Sequence, residues 1–180
     1  MLISSITLGL WHFANAAWIQ SKAYAATFLI KDAWLETLER GTINKPWSWS
    51  DTWPVAELLV PSIGMSEIVL SGDNGSSLAF GPGLSYSGAS LDDTGVKLIS
   101  AHRDTHFNKL QNININDAIF IKTPESIKQY KVKDIGIVDS QTYSIDKDIA
   151  GYDLILSTCY PFASISTGGT ERFIVGAVEL

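Results

Sequence analysis

The chain opens with a long stretch that carries no charged side chain. From Met1 to Ser21 there is no Asp, Glu, Lys or Arg, and the first charge is Lys22. At a rise of about 1.5 Å per residue, about twenty helical residues span the roughly 30 Å hydrocarbon core of a bilayer. The pattern therefore predicts a transmembrane anchor over residues 1–21. The alternatives are a signal peptide cleaved near Ala23–Ala25 and a buried amphipathic helix.

A second helical pattern follows the uncharged stretch. Apolar side chains recur on one side at a period of roughly 3.6, among them Phe28, Trp34 and Leu35. Gly41 supplies a helix stop, and the residues after it are rich in Ser, Thr, Pro and Trp. Residues 22–53 are thus predicted to form an amphipathic helix and a tryptophan-rich linker.

After Pro54 the pattern changes to short strands bounded by turn residues. The predicted strands are 56–61, 66–71, 96–101, 118–123, 129–139, 153–158 and 172–180. In the longest of them the alternation changes phase, which predicts a bulge near Asp134. The Gly- and Ser-rich stretch from Gly72 to Gly95 is too long for a hairpin turn and is a candidate functional loop. Residues 54–180 are therefore expected to form an all-β barrel or sandwich.

Composition and charge narrow the class of protein. The chain is 46% hydrophobic and 18% charged, which is typical of a globular domain. Its net charge is -6 and Lys and Arg are not clustered, so nucleic-acid binding is not expected. A single cysteine excludes a disulfide within the chain. No cofactor is expected.

Three residues of complementary chemistry lie at strand ends. Cys159 and His102 each end an apolar strand, and Arg172 opens the last strand. A free thiol has a pKa near 8.5, so a nucleophilic cysteine benefits from an imidazole that takes its proton and later gives it to a leaving amine. A guanidinium cannot act as a base, so Arg172 would stabilise an oxyanion or a thiolate. The set suits acyl transfer through a thioester.

Each of these residues has a plainer interpretation. Cys159 could be a buried structural thiol, and Arg172 could be a surface cation paired with Glu171. His102, His106 and Cys159 could also bind zinc, although a strand end does not place the two histidines on one face as a helix would.

The same residues resemble the sortase family. Thr158-Cys159 ends a strand as in the family's signature, a His ends an earlier strand, and an Arg follows the Cys. The segments His102–Phe107 and Thr158–Phe162 look especially like the Gram-negative (class GN) branch. Ala101 stands where many relatives have Gly before the His.

The resemblance implies an eight-stranded β-barrel preceded by a hydrophobic anchor helix. It also implies a catalytic set of Cys159, His102 and Arg172, which would cleave a Leu-Pro-x-Thr-Gly-like sorting signal between Thr and Gly. A thioester on Cys159 would then pass to an amine acceptor. The expected partners are a protein with a C-terminal sorting signal, the amine and a lipid bilayer, with the barrel on the extracytoplasmic side of the inner membrane. The alternatives are a cysteine protease with water as acceptor and an inert, membrane-tethered binding domain.

Overall fold

Side chains alternate between interior and surface along the strands that begin at Pro54. In the computed structural model, which describes residues 2–145, 151–164 and 168–180, the first strand buries every second residue. The regular elements in chain order are α1 (Leu2–Arg40), β1 (Pro54–Val60), β2 (Met65–Ser71), α2 (Gly75–Leu78), β3 (Gly83–Leu84), β4 (Lys97–Ser100), β5 (Ala118–Lys122), β6 (Ile127–Asp139), β7 (Leu154–Cys159) and β8 (Glu171–Glu179), with short 3-10 turns at Pro61–Ile63 and Asn108–Asn112.

The eight strands close into one barrel, which confirms the expected architecture. Their order around the barrel is β1-β2-β3-β4-β7-β8-β6-β5. The pairs β2–β3 and β4–β7 are parallel. The register of β6 against β8 shifts between Val132 and Asp134, which confirms the predicted bulge.

The parallel pair of β4 and β7 places the ends of both strands at the same end of the barrel. Their inward side chains, including Ile99 and Leu156, are fully buried in the core, and Val175 of the neighbouring β8 joins them. Because successive side chains of a strand point to opposite faces, the residues between them face outward. The two strands therefore carry core residues on one face and a second row on the outer face, where Leu98 and Ile155 are buried in a separate cluster.

Among the described side chains of helix α1, the buried ones lie in its C-terminal half. Its buried side chains are Ala26, Ile30, Ala33, Trp34 and Thr37. Of the predicted apolar stripe, Trp34 is buried, whereas Phe28 and Leu35 are 69% and 50% exposed. The buried face of the helix thus combines small side chains with Ile30 and Trp34. Gly41 ends the helix at a φ of +63°, and its N–H bonds to the Thr37 carbonyl at 3.0 Å.

The transmembrane anchor expected at residues 1–21 is not confirmed. Within the part of the chain that the structure describes, no helix is both long and apolar enough to cross a membrane. Helix α1 has the length, with 39 residues. A stretch without charged residues need not be apolar enough to span a membrane, and polar residues such as His12 and Asn15 lie within this one.

Candidate active site

Cys159 is the last residue of β7, and His102 follows the end of β4, the parallel strand next to it. Ser100 pairs with Ser157, and each candidate residue lies two positions further along, on the outward face. His102 is exposed and Cys159 is partly buried. Both line one cavity of about 310 Å³, together with Gly168 and other residues of the two strand-end loops. The thiol is thus reachable from solvent beside an imidazole.

Arg172 is brought to Cys159 from the other neighbouring strand. The two residues are direct partners in the antiparallel register of β7 and β8. The Arg172 Nη1 donates to the carbonyls of Gly169 and Glu171 at 2.8 and 2.9 Å. One nitrogen of the guanidinium is therefore fixed to the backbone. All three candidate residues lie near one end of β7, with His102 and Cys159 in one cavity and Arg172 in the neighbouring one.

Thr158, which precedes the cysteine, ties the two strand ends together. Its side chain is buried, and its hydroxyl donates to the Ala101 carbonyl at 2.7 Å. Ala101 in turn precedes His102, and its methyl group is buried in the core. A threonine at this position therefore links the strand that carries the thiol to the strand that carries the imidazole, and the core accommodates Ala101.

An ion pair lies beside the histidine, between Arg103, which is buried, and Asp104, whose side chain is 67% exposed. The Arg103 Nε donates to Asp104 Oδ1 at 2.8 Å, and Arg103 Nη2 donates to Asp104 Oδ2 at 3.2 Å. The hydrogen bond and charge of Arg103 lower the pKa of Asp104, and the charge of His102 acts in the same direction. The hydrogen bond to Asp104 raises the pKa of Arg103, and the charge of Cys159 adds to this effect. The only sequence signal was the density of polar residues after an apolar strand.

A groove runs along the outer face of the barrel and includes Arg172. Its floor includes Leu98 and Ile174, which belong to a buried cluster separate from the main core that also contains Val96 and Ile155, whereas most of its other lining residues are polar. The cavity over it measures about 250 Å³ and is bordered by Ser157 next to the cysteine strand end. The Gly72–Gly95 loop supplies Asp73, Ser85 and Ser87 to one wall, and the residues after β6 supply Tyr143 and Ile145. The long loop thus borders a surface that leads to the candidate site.

The zinc interpretation is not supported by the arrangement of donors. His106 Nδ1 lies 2.8 Å from Glu67 Oε2, on strand β2. Across residues 2–145, 151–164 and 168–180, no three His, Cys, Asp or Glu side chains form a group that could hold a metal ion.

Comparisons with known proteins identify the fold and family that the sequence resemblance implies. The model of the Sortase domain matches residues 58–180. Sortase D of Bacillus subtilis (strain 168) is 27% identical over 124 residues, which are 66% of this chain and 61% of that protein. The chain thus spans about three fifths of the length of this relative.

Solved structures share the barrel at low sequence identity. Sortase A from Corynebacterium diphtheriae superposes with a TM-score of 0.64 at 23% identity, covering 81% of this chain and 67% of that one. A Clostridium perfringens Sortase D5 transpeptidase gives 0.69 at 18% identity, covering 87% and 99%. At these identities the likeness concerns the fold. None of these relatives confirms the Gram-negative class.

Proposed function

This chain belongs to the sortase family, and from that premise we propose that it is a cysteine transpeptidase with Cys159 as nucleophile. The observation that carries the proposal is the convergence of a solvent-accessible thiol, an imidazole and a backbone-anchored guanidinium at one end of β7. These are the groups that acyl transfer through a thioester requires.

The proposed reaction has two steps. The Cys159 thiolate attacks the carbonyl carbon of the Thr–Gly bond in a sorting signal. The C–N bond breaks, His102 donates the proton that it took from the Cys159 thiol to the departing amine, and the acyl group stays on sulfur as a thioester. An acceptor amine then attacks the thioester, its proton passes to His102, and the C–S bond breaks to restore the thiolate. Atoms and charges balance without any cofactor.

Arg172 suits a role in binding the oxyanion that forms in each step. Within the described residues, its hydrogen bonds use only Nη1, which leaves Nε and Nη2 as donors for the substrate. Replacing such a donor in other acyl-transfer sites costs about 10²–10³-fold in kcat. We expect a loss of that size for Arg172→Ala, and a smaller one for Arg172→Lys, which retains the positive charge but not the planar guanidinium with its several donors.

The groove over Leu98 and Ile174 suits an extended peptide as acyl donor. Its floor is apolar and its rim carries serines, so apolar residues of the signal would lie on the floor while backbone groups meet polar side chains. A Leu-Pro-x-Thr-Gly-like signal has this character. Peptides with a charged residue in place of the leucine should therefore bind more weakly, with a raised KM and a nearly unchanged kcat.

We also propose that the chain belongs to the Gram-negative class, on the basis of the segments His102–Phe107 and Thr158–Phe162. We further propose that it lies at the extracytoplasmic side of a membrane. Large apolar side chains in the first part of α1, including Trp11, Phe13 and Trp18, are 61–75% exposed. Aromatic residues of this kind favour the membrane interface. Flotation of the full chain with phospholipid vesicles tests this location, and Trp11→Ser with Trp18→Ser is the matched variant.

Product analysis distinguishes a transpeptidase from a hydrolase. The full chain is incubated with a pool of Leu-Pro-x-Thr-Gly-like peptides, with and without an added primary amine such as triglycine. The proposal predicts a new amide product that depends on the amine and on Cys159. Only hydrolysis product at saturating amine would indicate a cysteine protease. No product, combined with a thiol that resists alkylation, would indicate a binding domain.

A further inference from the structure

Arg103 makes an unusual set of contacts for a residue next to a candidate catalytic histidine. It is 6% exposed. Besides its bonds to Asp104, its Nη1 donates to the Pro161 carbonyl at 2.6 Å, and its Nη2 donates to the Ser164 carbonyl at 2.9 Å. Buried arginines carry their charge at all accessible pH values, so this guanidinium is a permanent buried cation.

The contacts of Arg103 join the two loops that carry the candidate residues. Arg103 follows His102 directly, and Pro161 lies two positions after Cys159. The hydroxyl of Thr158 already joins the same two segments on the other side, through the Ala101 carbonyl. His102 and Cys159 are therefore bracketed, since one side-chain bond links the strands before them and another links the loops after them.

We propose that Arg103 is a positioning residue that fixes the loops on either side of the thiol–imidazole pair and supplies a buried positive charge favouring the Cys159 thiolate. The inference rests on the proposed function of this site. A planar fork can bind two backbone carbonyls and one carboxylate at once, whereas a lysine ammonium cannot reproduce that geometry. The residue would act through Cys159 and His102 without touching the substrate's reacting atoms.

Several charged groups lie near the thiol, and the effect of the Arg103 charge on the thiol has to be separated from the effects of the others. The loop after β4 contributes His102, Arg103 and Asp104 to the cavity, Tyr160 follows the cysteine, and Glu171 and Arg172 begin β8. Asp104 offsets part of the Arg103 charge. Removing Arg103 should therefore disfavour the thiolate, and removing the Asp104 carboxylate should favour it.

The test uses the rate of Cys159 alkylation by iodoacetamide as a function of pH, measured on the full chain. Arg103→Met should move the half-maximal pH upward by about half a unit or more, and Asp104→Asn should move it downward. Arg103→Lys should stay near wild type because the charge remains. Arg40→Met, which removes an exposed helical arginine paired with Glu36, is the matched control and should show no change.

Peptide cleavage measures the positioning part of the proposal. Arg103→Lys and Arg103→Met should both lower kcat by about 10–100-fold, because small displacements of reacting groups carry losses of that order. KM should change by less than about threefold, since Arg103 does not line the groove over Leu98 and Ile174. A cooperative thermal melt confirms that each variant is folded.

Two results would overturn the inference. One is folded Arg103 variants with wild-type kcat. The other is identical alkylation profiles for Arg103→Met and Asp104→Asn. If Arg103→Met does not fold, Arg103→Lys and Asp104→Asn decide the question by the same measurements. Alkylation requires no peptide, so a wild-type chain whose variants show the expected alkylation shifts but which never cleaves would contradict the proposed function and confirm only the charge effect of Arg103.

Discussion

The hydroxyl of Thr158 allows a sharp test of how the two catalytic strands are held together. Thr158→Val keeps the shape of the side chain and removes its only polar atom. The Ala101 carbonyl, which accepts that hydroxyl at 2.7 Å, would lose this partner in a buried environment. The change therefore isolates one hydrogen bond between β7 and β4, without opening a cavity.

The expected loss of stability follows from the burial of that carbonyl. A typical hydrogen bond contributes about 1 kcal/mol, and a buried acceptor left without a partner costs about 1–3 kcal/mol. We take about 2 kcal/mol for Thr158→Val. For a chain of 180 residues, this loss lowers Tm by about 4–8 °C. Because the bond also fixes the backbone of Ala101, the residue before His102, kcat for peptide cleavage should fall by about tenfold.

Thr158→Ser is the matched control because it keeps the hydroxyl and removes the methyl group. Losing one buried methyl costs about 0.8 kcal/mol from burial alone. Urea unfolding and peptide cleavage of both variants give the order of effects. The hydrogen-bond account requires Thr158→Val to be the less stable and the less active of the two. The reverse order, or a Thr158→Val variant as active as wild type, would refute it.

Three further predictions follow from the site and the barrel. His102→Ala should lower kcat/KM for peptide cleavage by about 10²–10⁴-fold, and a loss below tenfold would remove the imidazole from the mechanism. Arg103 lowers the pKa of Asp104. The Asp104 carboxylate therefore stabilises the fold above its unfolded pKa of about 3.9, and this contribution is lost as the pH falls through the lower pKa of the folded state. The difference in Tm between wild type and Asp104→Asn should thus be present at pH 7 and vanish in strong acid, and a difference that grows with acidity would contradict this sign. Gly88→Ala would place a methyl group 2.7 Å from the Leu98 backbone nitrogen, so urea unfolding should show a loss of about 1–3 kcal/mol, whereas an unchanged stability would mean that the loop shifts freely.

The parts of the fold that the sequence predicted well are those with a repeating local signal. Alternation along β6 revealed both the strand and its bulge at Asp134, because a phase slip in the pattern is visible without any partner strand. The ends of β4 and β7 were marked by apolar runs that stop at polar residues, which directed attention to His102 and Cys159.

The parts that were missed depend on contacts between distant segments. Strand β3 has two residues and owes its existence to pairing with β2 and β4, so it has no period of its own. The buried face of α1 combines Ala26 and Ala33 with Trp34, and contacts with the distant barrel strands decide which face of the helix is covered. The role of Arg103 depends on carbonyls more than fifty residues away, which no local pattern encodes.

Trapping the acyl-enzyme tests the central claim most directly. The full chain is mixed with a Leu-Pro-x-Thr-Gly-like peptide, and intact mass is measured before and after hydroxylamine, with Cys159→Ala alongside. The account predicts an adduct on wild type only, with the mass of the peptide cut after Thr, which hydroxylamine removes. An adduct that persists in hydroxylamine or forms equally on Cys159→Ala would contradict a thioester on this cysteine.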